Sequence, residues 1–245
     1  MNDHRPQNSE HSATTAPGHE LSKPVQPGSL TVSDLDSRKL IHRSQSARIY
    51  ADAFREIRTR LLEMGGEHNF VTLVAAVSPR SGGSFVARNL AAAFAFGESM
   101  SALLIDCNLR HPTQASAFGV DCVRGNLIDY LDDPERTIDE AIYNTGIPRL
   151  QLIPVNRSLE LGAEYYSSVR MRTMVDSLRS RFQDRHLILD GPAVQGSPDT
   201  RILAEMADFV VLVAGSGRDT PAAIAEATSH FDDSKMAGVV FNHLP

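Results

Sequence analysis

Residues 70–91, FVTLVAAVSPRSGGSFVARNLA, run from a nearly unbroken apolar stretch through a Pro, Arg, Ser and Gly loop into an Ala-rich segment. Eight apolar-rich residues in a row fit a strand covered on both faces. The Gly-Gly-Ser turn that follows opens a helix. The same alternation recurs along the chain. The pattern predicts strands at Phe70–Val77, Ala102–Ile105, Leu150–Pro154, His186–Leu189, Phe209–Val213 and Gly238–Phe241. Helices are expected at Ser84–Phe96, Met171–Phe182, Asp199–Met206 and Pro221–Phe231. Alternating strands and helices give an α/β fold, a doubly wound and mostly parallel sheet with helices on both faces. No internal repeat is visible.

Residues 1–40 are read differently. They are rich in Ser, Pro, His, Gln and Thr. Such a segment buries too little apolar surface to offset the entropy of ordering, so a disordered tail is expected there, with the folded domain at 41–245. The stretch SLTVSDLDSRKLI (29–41) reads as linker, with a short docking segment as the alternative. A helix is expected to begin near Ser46, with Ile49, Phe54, Ile57 and Leu61 on its apolar face and Gly65-Gly66 at its end.

Composition excludes several classes. No apolar run approaches the roughly 20 residues of a membrane helix. The start, MNDHRPQNSEHSATT, lacks the form of a signal peptide, so a cytoplasmic protein is expected. A net charge of −6 gives no reason to expect nucleic-acid binding. Cys107 and Cys122 fit no metal or redox spacing and are expected to be reduced. The nine histidines include no pair at helical metal-ligand spacing.

In open α/β sheets, ligands sit beyond the carboxyl ends of the strands. Three strand ends here carry suggestive residues. The loop Ser78–Ser84 can offer backbone N–H groups and a helix N-terminus to phosphate oxygens. Ser84 stands where the Ser or Thr of G-x-x-x-x-G-K-[ST] binds Mg²⁺. LLIDCNLRHP ends its strand on Asp106, and HLILDGPA ends its strand on Asp190. Either aspartate could instead cap its own turn. Together at neighbouring strand ends they suggest a Mg²⁺ or water site.

In this order the motifs resemble the bacterial tyrosine kinase (BY-kinase) family of capsule and exopolysaccharide synthesis. These are P-loop ATPases related to the septum-site and partition ATPases. The likeness runs from about Ala47 to His243. DAFREIRTRL resembles the family's Glu-x-x-Arg-x-x-Arg helix through Asp52, Arg55 and Arg58. SPRSGGSF aligns with Pro-Gly-Glu-Gly-Lys-Ser-Thr. LLIDCNLRHP resembles Leu-Ile-Asp-x-Asp-Leu-Arg-x-Pro. SSVRMRTMVDSLRSRF with HLILDGP matches the helix and strand of the second aspartate site. GVVFNHLP resembles the last strand. The resemblance implies that Arg80, Ser81, Gly82, Gly83, Ser84, Phe85 and Asn242 line a nucleotide site, Asn242 against the adenine. It implies that Ser84, Asp106 and Asp190 hold Mg²⁺, the two aspartates being the remaining catalytic groups. It also implies that Asp52, Arg55 and Arg58 meet a neighbouring subunit. On the residues alone, those three are equally a solvated face with an i,i+3 ion pair, and Asn242 is equally a turn residue.

The departures touch catalysis. Gly83 stands at the loop lysine, Arg80 at a glycine, Phe85 at the threonine and Asn108 at the second aspartate of the D-x-D motif. Losing one positioned cationic contact costs about 3–4 kcal/mol of transition-state stabilisation. Losing a general base costs about 10²–10⁴ in rate. The tyrosines, at 50, 130, 143, 165 and 166, form no tyrosine-rich tail before Pro245. Arg80 reads as a solvated loop arginine or a substitute cation. Arg88, one helical turn beyond Ser84, is expected to face away.

The expectation is therefore a catalytically impaired BY-kinase-like regulator or scaffold, binding ATP or ADP with Mg²⁺ weakly if at all. Its expected partners are a membrane polysaccharide co-polymerase, which would hold it peripherally at the inner membrane, and a second copy of itself. Two other readings stay open: an active ATP-dependent tyrosine kinase or ATPase, and a relative of the positioning ATPases.

Overall fold

The structure, a computed structural model, describes Met1 and residues 29–42, 48–66, 68–160 and 162–243. The expected start of a helix at Ser46, and most of the expected disordered tail, lie outside those residues.

Seven strands form one sheet: β1 (Val71–Ala76), β2 (Ser101–Asp106), β3 (Tyr143–Asn144), β4 (Leu150–Ile153), β5 (Arg185–Asp190), β6 (Phe209–Gly215) and β7 (Met236–Asn242). Their order is β3-β4-β2-β5-β1-β6-β7. Every neighbouring pair is parallel except β3 with β4. The doubly wound sheet expected from the alternation is present. The two-residue β3 was not foreseen, being too short to leave a periodic signal.

The helices that cover the sheet are α1 (Val32–Ser37), α2 (Arg48–Gly65), α3 (Gly83–Ala95), α4 (Gln114–Phe118), α5 (Leu127–Asp132), α6 (Ala163–Ser167), α7 (Val169–Arg181), α8 (Asp199–Glu205) and α9 (Pro221–Thr228). Side chains alternate across each strand, so one strand feeds two cores. Leu73, Leu103, Ile105, Leu187, Leu189 and Leu212 point to one face. There they meet α7 and α8, with Met171, Met174, Leu178 and Leu203 buried. Val74, Leu104, Ile188, Val211 and Val213 point to the other face. That face is covered by α2 and α3. Phe54 and Leu61 of α2 are buried as expected, and Ile57 is partly so. The helix ends at Gly65; Gly66 follows at φ +66°, its N–H bonded to Leu62 O at 2.9 Å. That backbone conformation favours glycine.

The expectation that 29–40 is unstructured needs correcting. Thr31 caps the short α1 in a reciprocal capping box with Asp34. Leu35, Leu40 and Ile41 are buried in the second core. Ile41 N–H donates to Asn89 Oδ1 of α3 at 2.8 Å, and Asn89 Nδ2 donates back to Lys39 O at 3.1 Å. Average polarity hid this strap, because three well-spaced apolar residues suffice once a groove exists to receive them.

Candidate functional site

The loop after β1 climbs from Ser78 and turns into α3 at Gly82, whose φ is +96°. Arg80 is also left-handed, at φ +68°, a conformation costing a non-glycine residue about 1–2 kcal/mol. Arg80, Gly82, Gly83, Ser84 and Phe85 line a cavity of about 620 Å³. Phe85 also stacks edge-on against Phe54, 6.1 Å between centroids. Ser81 does not face that cavity. It is fully buried, and its hydroxyl donates to Asp219 Oδ2 at 2.7 Å. Ser78 Oγ donates to the other Asp219 oxygen, and Gly215 N–H reaches Oδ2 at 2.6 Å. Burial pushes the Asp219 carboxyl up, but the Ser78, Ser81 and Gly215 donors outweigh it and hold it below the usual carboxylate range. Asn242 is buried, and its amide donates to Ser81 O at 3.2 Å. The side chain expected to face an adenine is thus committed to holding the loop.

Asp106 and Asp190 are register partners at the ends of β2 and β5, and both are fully buried. Asp106 accepts three backbone N–H bonds, from Asn108 at 3.2 Å, Thr113 at 3.1 Å and Gln114 at 3.0 Å. Burial, then the Asp190 charge, still drives its pKa well above the ordinary value. Burial raises Asp190 to about 6, against the lowering effect of Gln114, Ser84 and Arg88. Ser84, Asp106 and Asp190 are therefore brought together as the motifs implied.

Between them stands a residue the sequence did not single out. Gln114 begins α4 and is fully buried. Its Nε2 donates to Asp190 Oδ2 at 2.5 Å and to Ser84 O at 3.0 Å. Its Oε1 accepts from Arg88 Nε at 3.3 Å. Arg88 does not face away as expected. It lines the loop cavity and lies within electrostatic reach of Asp190 and Asp106, while burial lowers its pKa. The reason is helical geometry: residue i+4 from Ser84 returns to the same face.

The α2 residues separate. Asp52 and Arg55 form an exposed i,i+3 pair at 2.5 Å. Arg58 turns inward, donating to Ala93 O of α3 at 2.7 Å. It is not the solvent-facing side chain that the helix pattern suggested.

Asp219 and Gln114 were both missed. Asp219 sits in GSGRDTP, where Thr220 rather than Asp219 caps the helix that follows, so nothing local marks it. Gln114 acquires its role only because the loop after β2 folds back over β5, which no periodicity encodes.

No protein-family model matches the chain. Over 196 residues it is 32% identical to the putative tyrosine-protein kinase EpsB of Ralstonia solanacearum, spanning 79% of this chain and 26% of that protein. The chain thus spans about a quarter of the length of the first curated relatives it matches. It is 26% identical to the tyrosine-protein kinase YwqD of Bacillus subtilis over 208 residues, 84% of this chain and 86% of that one. The chimeric protein CapA2B2 superposes with a TM-score of 0.71 at 22% identity, covering 88% of this chain and all of the other. The septum-site-determining protein MinD of Pyrococcus horikoshii, solved with Mg-ADP, superposes at 0.55 with 18% identity, covering 71% and 70%. With motifs, relatives and sheet order in agreement, the chain belongs to the bacterial tyrosine-protein-kinase family and has a fold like that of MinD.

Proposed function

We propose that this chain is a catalytically impaired member of that family, acting as a regulator or scaffold of exopolysaccharide or capsule biosynthesis and export. The carrying observation is Gly83. A Cβ there would stand 3.0 Å from Ala76 N and 3.3 Å from Ala76 Cβ. The loop lies close enough to β1 that any side chain at this position needs the strand to give by a few tenths of an ångström, so glycine fits the spot as it stands and supplies no cation. Asn108 adds the loss of a general base, since an amide takes up no proton at neutral pH. Both losses fall on positioning and charge neutralisation, which carry phosphoryl transfer.

The proposed partner is the cytosolic end of a membrane polysaccharide co-polymerase, with a second copy of the chain as a further contact. No helix among the described residues is long and apolar enough to cross a membrane. Membrane proximity would come through the partner.

A second reading keeps activity, with Arg80 replacing the lysine, because Arg80 is exposed at the cavity mouth. One experiment separates them. The protein is incubated with MgATP, and phosphate release and intact mass are followed. No turnover and no added phosphate are expected. Turnover that disappears in Arg80→Ala establishes the second reading instead.

A further inference from the structure

The motif trio of Ser84, Asp106 and Asp190 is the place where the fold family would hold Mg²⁺. The donor set does not fit it. Mg²⁺ demands near-octahedral oxygen ligands at 2.0–2.1 Å with lone pairs converging on one point. Both oxygens of Asp106 already accept backbone N–H groups, one of them Gln114's own. Asp190 Oδ2 accepts Gln114 Nε2 at 2.5 Å. The second hydrogen of that amide goes to Ser84 O, so its two donors are both spent. Gln114 Oε1 is held by Arg88. Gln114 is thus fixed at its main chain by Asp106 and at its side chain by three partners. Its neutral NH₂ turns the partial positive charge of its hydrogens toward the Asp190 oxygen that a cation would use, and Arg88 supplies a full positive charge behind it. Of the four carboxylate oxygens, Asp190 Oδ1 is left without a partner.

We infer that Gln114 and Arg88 stand in for the divalent cation of this site, so that the chain excludes Mg²⁺ from its own aspartate pair. This rests on the reading of the site as non-catalytic. It also predicts what the site would regain if cleared. Removing the amide frees Asp190 Oδ2 next to the unpartnered Oδ1 and the Ser84 side chain, oxygen ligands that suit a hard divalent ion, while Asp106 keeps its backbone bonds.

The test uses Mn²⁺ as the probe on the full chain, read by electron paramagnetic resonance, alone and with ADP. The unmodified protein should show no bound Mn²⁺ in either condition, meaning a dissociation constant weaker than about 1 mM. Gln114→Ala should bind Mn²⁺ at least about tenfold more tightly. Gln114→Glu keeps the length and adds a third carboxylate; its melting temperature should rise with added Mn²⁺ while that of the parent does not. Stoichiometric Mn²⁺ on the unmodified protein overturns the inference whatever the variants do. So does a failure of both variants to gain Mn²⁺ while circular dichroism shows them folded. ATP turnover would end the non-catalytic reading; bound Mn²⁺ without turnover would end this inference alone.

Discussion

Two cavities of about 620 Å³ treat charge in different ways. One sits over the phosphate loop, beside two buried aspartates. The other runs between α2 and the edge strand β7, lined by Asp52, Arg55, Glu56, Arg60 and Glu63 above Val239 and Val240. In the first, charge is buried and only partly answered, by Gln114, Arg88 and backbone N–H groups, so that burial still raises both aspartates. In the second, charge is exposed: Arg55 and Asp52 keep about half their surface in water while paired. Burial makes the difference. An unanswered charge costs several kcal/mol inside and almost nothing outside. On the proposed reading, the chain's own groups fill the place of the cation, whereas the groove stays open.

The sharpest way to break this contrast is Arg58, which belongs to α2 yet reaches inward. Arg58→Glu removes the donor to Ala93 O and sets a carboxylate against a carbonyl. The expected cost is about 3 kcal/mol, the upper range for a hydrogen bond to a charged group. Urea unfolding measures it. A loss below about 0.5 kcal/mol would place Arg58 with the solvated residues of the groove.

Next in size is Asp190→Asn. An unfolded aspartate releases its proton near 3.9, whereas folded Asp190 holds it to about 6. The folded state thus binds the extra proton between those values, and stability falls as pH rises through that window. A two-unit shift is worth at most about 3 kcal/mol. The amide variant should therefore be more stable than its parent by about 2 kcal/mol at pH 7.5, and by little at pH 4. An unchanged difference between the two pH values would mean that Asp190 is charged and already compensated.

The same contrast separates what the amino-acid order encodes locally from what only the fold assembles. The sheet was legible because Leu73, Leu103 and Leu187 sit in runs that only a doubly covered strand tolerates. The loop and the aspartate pair were legible because strand ends fix where ligands lie. Gln114 was not, since its meaning comes from a loop folding over a neighbouring strand. The strap was not, because Leu35, Leu40 and Ile41 are too sparse to register in a polar stretch. Arg88 is an intermediate case. Four residues return to one helical face, so its spacing from Ser84 already contained its direction, while its partner Gln114 came from elsewhere in the chain.

A smaller effect is expected at Gly83. Gly83→Lys forces a Cβ within 3.0 Å of Ala76 N. Overpacking of this kind costs about 1–2 kcal/mol. The variant should fold, melt lower and still fail to hydrolyse ATP, because Gln114 and Asn108 remain. Restored turnover from this change alone would show that the lysine was the sole deficit.

The smallest stability effect belongs to the groove. Arg55→Glu loses an exposed pair with Asp52, so unfolding should shift by less than about 0.5 kcal/mol. That quietness makes it the right probe of an interface, since any loss of association cannot be blamed on the fold. Among the described residues no strand pairs with the outer edge of β7, and Phe241 on that strand is two-thirds exposed. A partner seated against α2 and β7 would meet alternating charge over an apolar edge. An arginine fork there pairs with a carboxylate in two places at once, so reversing it turns attraction into repulsion. If α2 is the proposed contact, Arg55→Glu should abolish self-association in light scattering, or capture by the co-polymerase's cytosolic end, at unchanged melting temperature. Arg60→Glu, also on this helix and exposed beside Glu63 at 3.7 Å, should weaken association less, because that pair is already loose. Full association in both variants would leave the groove a solvated face and move the search to another surface.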